Sequence, residues 1–187
     1  MSDTRDTERS PADAVRHWVE TVVLPLNLCP FAKPVVRAGG VRYVESAAGD
    51  LEGLLIDLQA ALTELLSAPI EEPATTLLVV PGFLSDFEDY LDTLALIEQG
   101  LAEAGLEGEI QVASFHPDYR FADTDDEVTA YTNRTPYPVF HLLREADLEA
   151  AIAEHPDVED VPAQNIARVR ALGIGAMRAL LARCLRG

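Results

Sequence analysis

Two histidines, a cysteine and three arginines are the residues of this chain whose types could support chemistry. His116, followed by Pro117 and Asp118, and His141 further on have the ligand content of a two-histidine, one-carboxylate site, which leaves metal positions open for substrate or oxygen. Cys29 is a candidate third ligand beside the two histidines, a combination that suits zinc. Near an imidazole it is equally a candidate nucleophile or redox thiol, and without one it is a small buried side chain. Arg120, Arg134 and Arg144 fall within or beside the same irregular stretch, where guanidinium forks could clamp a carboxylate or phosphate. Their structural alternative is pairing with Asp118, Asp123, Asp125 and Glu145.

The aromatic and amide neighbours admit two roles as well. Tyr119, Tyr131 and Tyr137 could close over a ligand or pin a long loop to the core. Asn133 could contact substrate or shape its own turn before Pro136. No glycine-rich phosphate loop, nucleophile elbow or zinc-protease helix motif occurs.

Three separated motifs carry a resemblance. Asn27-Leu28-Cys29-Pro30-Phe31-Ala32 comes first, then Ser114 to Phe121 (SFHPDYRF), then Thr132 to Pro138 (TNRTPYP) followed by His141-Leu142-Leu143-Arg144-Glu145. Together they resemble the bacterial domain-of-unknown-function family 1415, over nearly the whole chain beyond its first residues. The resemblance implies site positions and no reaction. Asp123 stands where relatives usually have Gly, and Thr135 where they have Ser.

The elements that must position these residues read as one α/β domain after a flexible leader over residues 1–10. Ser10 and Pro11 suit an N-cap and first helical position, with Val15, Trp18, Val19, Val22 and Val23 at helical spacing up to Pro25. Val41 to Glu45 reads as a strand, and Asp50 caps a helix to about Ser67. Thr75 to Val80 is an uninterrupted β-rich run, the pattern of a strand covered on both faces. Ser85 or Asp86 caps a third helix, ended by Gly105 or Gly108 before a strand over residues 109–115. A fourth strand is expected over residues 138–143, a short helix over 147–154 and one closing helix over 163–185, softened by Gly173 and Gly175.

Alternating strand and helix predict right-handed crossovers and parallel pairing of the strands near residues 43, 78 and 112. The expected fold is a single two- or three-layer domain, residues 11–187, with a small, mostly parallel sheet of about four strands. Its site should lie beyond the carboxyl ends of the strands, in the loops 81–86 and 116–120.

Composition excludes some partners. Against 14 Lys and Arg stand 32 Asp and Glu, a formal net charge of −18, so the mean field repels nucleic acid and anionic membrane surfaces. Two distant cysteines, no apolar leader segment and no run of about 18 apolar residues read as a cytoplasmic protein. The leading expectation is a small enzyme acting on an anionic small molecule, with His116 or His141 as acid and base and Cys29 as ligand or nucleophile. Arg120, Arg134, Arg144, Asp118, Tyr119, Asn133 and Tyr137 would contact substrate. The alternatives are a ligand-binding or protein-interaction domain without turnover, and a metalloprotein at His116, Asp118 and His141. Cofactor and oligomeric state carry no signal.

Overall fold

A computed structural model describes residues 8–69, 74–154 and 158–187. Most of the expected leader therefore lies outside the described residues. Its last three residues do not behave as a leader: the Arg9 N–H donates to the Leu185 carbonyl (3.3 Å) and its guanidinium to the Arg183 carbonyl (2.9 Å).

Helix α1 (Pro11–Trp18) opens as its sequence dictates, with the Ser10 hydroxyl accepting from the Asp13 N–H at 3.2 Å. It runs on through a π-helical turn, Val19–Val23, in which the Leu24 N–H reaches back five residues to the Val19 carbonyl. Helix α2 (Ala32–Ala38) was not legible, because it is short, carries Pro34 and packs only Ala32 and Val36 partly against the core. Asp50 caps α3 (Leu51–Ser67), and Asp86, rather than Ser85, caps α4 (Phe87–Glu103) through the Glu88 and Asp89 N–H groups.

The strands are β1 (Val41–Glu45), β2 (Thr75–Val79), β3 (Ile110–Phe115) and β4 (Val139–Arg144). They lie in the order β1-β2-β4-β3. This corrects the expected sheet. Only β1 and β2 pair in parallel, while β4 runs antiparallel to both β2 and β3. The first three strands do point one way, as alternation with helices requires, but the long connection over 116–138 brings β4 back between β2 and β3. A hydrophobic run does not encode which neighbour it will sit beside, so this insertion had no local signature.

Two cores lie on opposite faces of the sheet, making three layers. One face carries Leu78, Phe140 and Leu142 against Leu54 and Leu58 of α3 and Tyr90 and Ile97 of α4. The other carries Leu77, Val79 and Val139 against Trp18 and Val22, Val169 of α6 (Val161–Leu172) and Met177 and Cys184 of α7 (Ile174–Cys184). The expected single closing helix is thus two helices, broken at Gly173, whose φ of 80° and ψ of 159° suit glycine. Helix α5 (Glu145–Ala153) follows β4 directly.

Candidate functional site

Strand alternation decides where the candidate residues go. Phe115 and His116 are adjacent at the end of β3 and therefore leave it toward opposite faces. His141, in β4, pairs with Ala113 and Leu77 and belongs to the face of Phe115. The sheet thus stands between the two histidines.

His116 is fully buried among the rings of Phe87 and Tyr90, with centroids 5.2 and 5.1 Å away. Its Nε2 lies 2.9 Å from the Leu84 carbonyl, which can only accept, and its Nδ1 receives the Asp118 N–H at 3.0 Å. The ring is therefore the neutral Nε2–H tautomer with both nitrogens engaged. Burial holds its pKa below the ordinary histidine value, against the opposing pull of the Leu84 bond and of Asp118 and Asp86. Leu84 has a φ of 61°, costly for a leucine, and the histidine ties that carbonyl in place. His116 locks the loops 81–86 and 116–120 together, so the two loops do share one edge. They meet there as a structural joint.

The arginines are likewise engaged. Arg120 pairs with Glu88 on the surface and rests over Phe87. Arg134 donates to the Tyr119 carbonyl (3.1 Å) and to Glu127 (2.9 Å) and covers the Tyr131 ring. Arg144 is buried, bonded to Asp147 (2.7 Å) and to the Ala68 and Pro69 carbonyls (both 3.1 Å). They do not converge on one point. Asp118 is exposed, Tyr119 packs between Phe87 and Phe121, and Tyr131 is buried as a pin. Tyr137 packs into the core beside α1 and α7, and burial, with Glu8 and Glu45 adding to it, raises its pKa. Asn133 donates to the Ser114 carbonyl at 3.2 Å while its own carbonyl receives the His116 N–H. Among the described residues no three His, Cys, Asp or Glu side chains are placed to hold a metal together.

The other face is different in kind. A cavity of about 970 Å³ lies over β3 and β4 on the His141 side, walled by the π-helical turn, α2, α5, α6 and the loop 121–133. Its lining is mostly apolar, as in sites that bury a small organic molecule. Trp18, Cys29, Ala113, Phe115, Asn133 and His141 all border it. Cys29 and His141, far apart in sequence, thus share one space.

His141 is half-buried there. Its Nε2 lies 2.6 Å from the Thr75 hydroxyl, which donates its single proton to the Leu142 carbonyl at 2.8 Å. Both contacts are satisfied together only when Nε2 carries the hydrogen. Nδ1 then bears a lone pair, and the ring's one hydrogen bond among the described residues is the one at Nε2. Burial pushes the pKa down to about 4, so the ring is neutral at physiological pH. The Cys29 thiol is pushed up by burial, against backbone N–H groups of Phe31 and Ala32 that favour the thiolate.

The site also uses residues that the motifs did not single out. Trp18 borders the cavity with its indole N–H buried and unpartnered, and it packs edge-on against Phe115 at 5.4 Å. Thr75 fixes the His141 tautomer. A signal existed for Thr75: two residues before Leu77 in the same strand, it had to share the face of Leu77. Which face would border a cavity was not encoded locally.

A family model described as Protein of unknown function (DUF1415) matches residues 10–179. The chain belongs to this family. No curated protein and no solved structure matches it. Membership in DUF1415 bears out the family resemblance and assigns no reaction. Among the described residues no helix is long and apolar enough to cross a membrane.

Proposed function

We propose that this protein binds a small molecule with an apolar body in the cavity over β3 and β4, with His141 as the hydrogen-bond acceptor that orients it. One observation carries the reading: a neutral imidazole whose Nε2–H is fixed by Thr75 and whose Nδ1 is left without a partner beside an apolar cavity. A tautomer held by an outer partner is an arrangement that prepares a ring nitrogen for a ligand or a proton. An enzyme reading has its own support in Cys29, which borders the same cavity with backbone N–H groups at its sulfur. In that reading a bound substrate donates a proton to His141 Nδ1, and the Cys29 thiol is the second reactive group.

Arg120 and Arg134 do not border the cavity, and Arg144, at its border, is bonded to Asp147 and to the Ala68 and Pro69 carbonyls, so the reading shifts from anion clamps to apolar contact. Trp18 is the single tryptophan of the chain and borders the cavity, so its emission reports occupancy. The test is titration with N-phenyl-1-naphthylamine, a neutral apolar fluorophore carrying one N–H. Saturable binding near one per chain, with quenching of Trp18 by energy transfer, is the expected result. Ala113→Leu, which fills the floor beside His141, should weaken it at least tenfold without unfolding the protein. Absence of saturable binding, or binding indifferent to Ala113→Leu, would overturn the reading.

A further inference from the structure

We infer that the molecule this cavity takes is neutral and hydroxyl-bearing, of the phenol class, and that anions are selected against. The inference rests on the cavity reading above and names the chemistry of its ligand. One polar group beside Phe115 presents an unused lone pair to the cavity. His141 offers an acceptor at Nδ1, whereas the Trp18 indole N–H is buried away from the cavity space. Both rings pack on Phe115, with centroids 6.1 and 5.4 Å from it. A hydroxyl is the smallest neutral group that donates to such an acceptor. A methyl ether cannot donate to it, and a carboxylate presents two acceptors to a neutral imidazole that can only accept at Nδ1. The latter leaves two lone pairs facing each other in an apolar space, which is costly.

The rim charges select in the same direction. Asp123 and Glu154 border the cavity as exposed carboxylates. The two cations bordering it among the described residues are already engaged, Arg144 with Asp147 and Arg170 with Asp126, each at 2.7 Å. With a chain net charge of −18 behind them, these groups repel an approaching anion. Phe31, Phe115 and Trp18 supply flat apolar faces for an aromatic ring.

The experiment compares three ligands of one skeleton, 4-butylphenol, 4-butylanisole and 4-butylbenzoate, as displacers of N-phenyl-1-naphthylamine from the natural protein at pH 7.5. The phenol should bind at least tenfold more tightly than either of the others. His141→Leu should weaken naphthylamine binding and, with each displacer referenced to the variant's own naphthylamine affinity, remove the difference between phenol and anisole; circular dichroism confirms that the variant is folded. Equal affinity of phenol and anisole, or a benzoate that binds as tightly as the phenol, would overturn the inference and leave the cavity reading standing. If the naphthylamine itself does not bind, the cavity reading fails and the inference falls with it.

Discussion

His116 and His141 begin from the same side chain and end with opposite roles, and the difference lies in their second nitrogen. In His116 both nitrogens serve the backbone, to the Leu84 carbonyl and from the Asp118 N–H. His116→Ala would orphan both groups in a dry setting, at about 1–3 kcal/mol each. Thermal unfolding should therefore show a loss of several degrees, while cavity binding persists below the melting temperature. His141 makes a pH prediction instead. Its folded pKa of about 4 lies below the unfolded 6.5, so in that window the unfolded chain binds the proton and the folded one does not. Stability is then full above 6.5 and lost as pH falls toward 4, by an amount on the order of 3 kcal/mol. His141→Gln keeps an N–H for Thr75 and cannot titrate. The stability difference between natural protein and variant, followed by denaturant unfolding, should shrink as pH falls from 7 to 4. A difference that stays constant with pH would show that the imidazole is not buried neutral.

At the scale of elements, joints between strands and loops position the site. Tyr90, on α4, donates to the Val139 carbonyl (2.8 Å) and accepts the Phe115 N–H (3.1 Å), so one hydroxyl fixes the ends of β3 and β4. Tyr90→Phe leaves both backbone groups unpaired and should cost about 1–3 kcal/mol, read as a lower denaturant midpoint at unchanged slope. Gly82 is a close-approach position: an added Cβ would lie 2.6 Å from the Ala48 carbonyl oxygen. Gly82→Ala should therefore destabilise by about 1–3 kcal/mol, whereas Gly100→Ala, at an exposed position of α4 with open space around it, should be neutral or stabilising. The loop 116–137 is stitched down by Arg170 to Asp126, Arg178 and Arg134 to Glu127, and Asn133 to Ser114. The strands, the caps at Ser10 and Asp50 and a helix cap at Ser85 or Asp86 were legible because each rests on a local pattern. The π-helical turn, helix α2 and the antiparallel insertion of β4 were not, because each depends on what the segment packs against.

At the scale of the molecule, the sheet separates the face that carries the loop joint at His116 from the face that carries the cavity. A reading along the chain gathers His116 to Glu145 into a single cluster, since sequence distance ignores which face of a strand a side chain leaves by. Alternation divides that cluster, and the cavity then recruits Trp18 and Cys29 from the start of the chain. The charge of −18 acts on the whole domain: self-repulsion should make stability rise with ionic strength from about 10 to 200 mM as screening sets in. A melting temperature that falls with added sodium chloride would mean that specific ion pairs outweigh the mean repulsion.

The central claim is that His141 faces a ligand and His116 does not, and nitrogen NMR of the imidazoles tests it most directly. Free protein should show both rings as neutral Nε2–H tautomers at pH 7, with His141 resisting protonation until about pH 4. On adding N-phenyl-1-naphthylamine, the Nδ1 resonance of His141 should move as it accepts a hydrogen bond, and the His116 signals should stay in place. A His141 that titrates near 6.5, or one that ignores the ligand while His116 responds, would contradict the account.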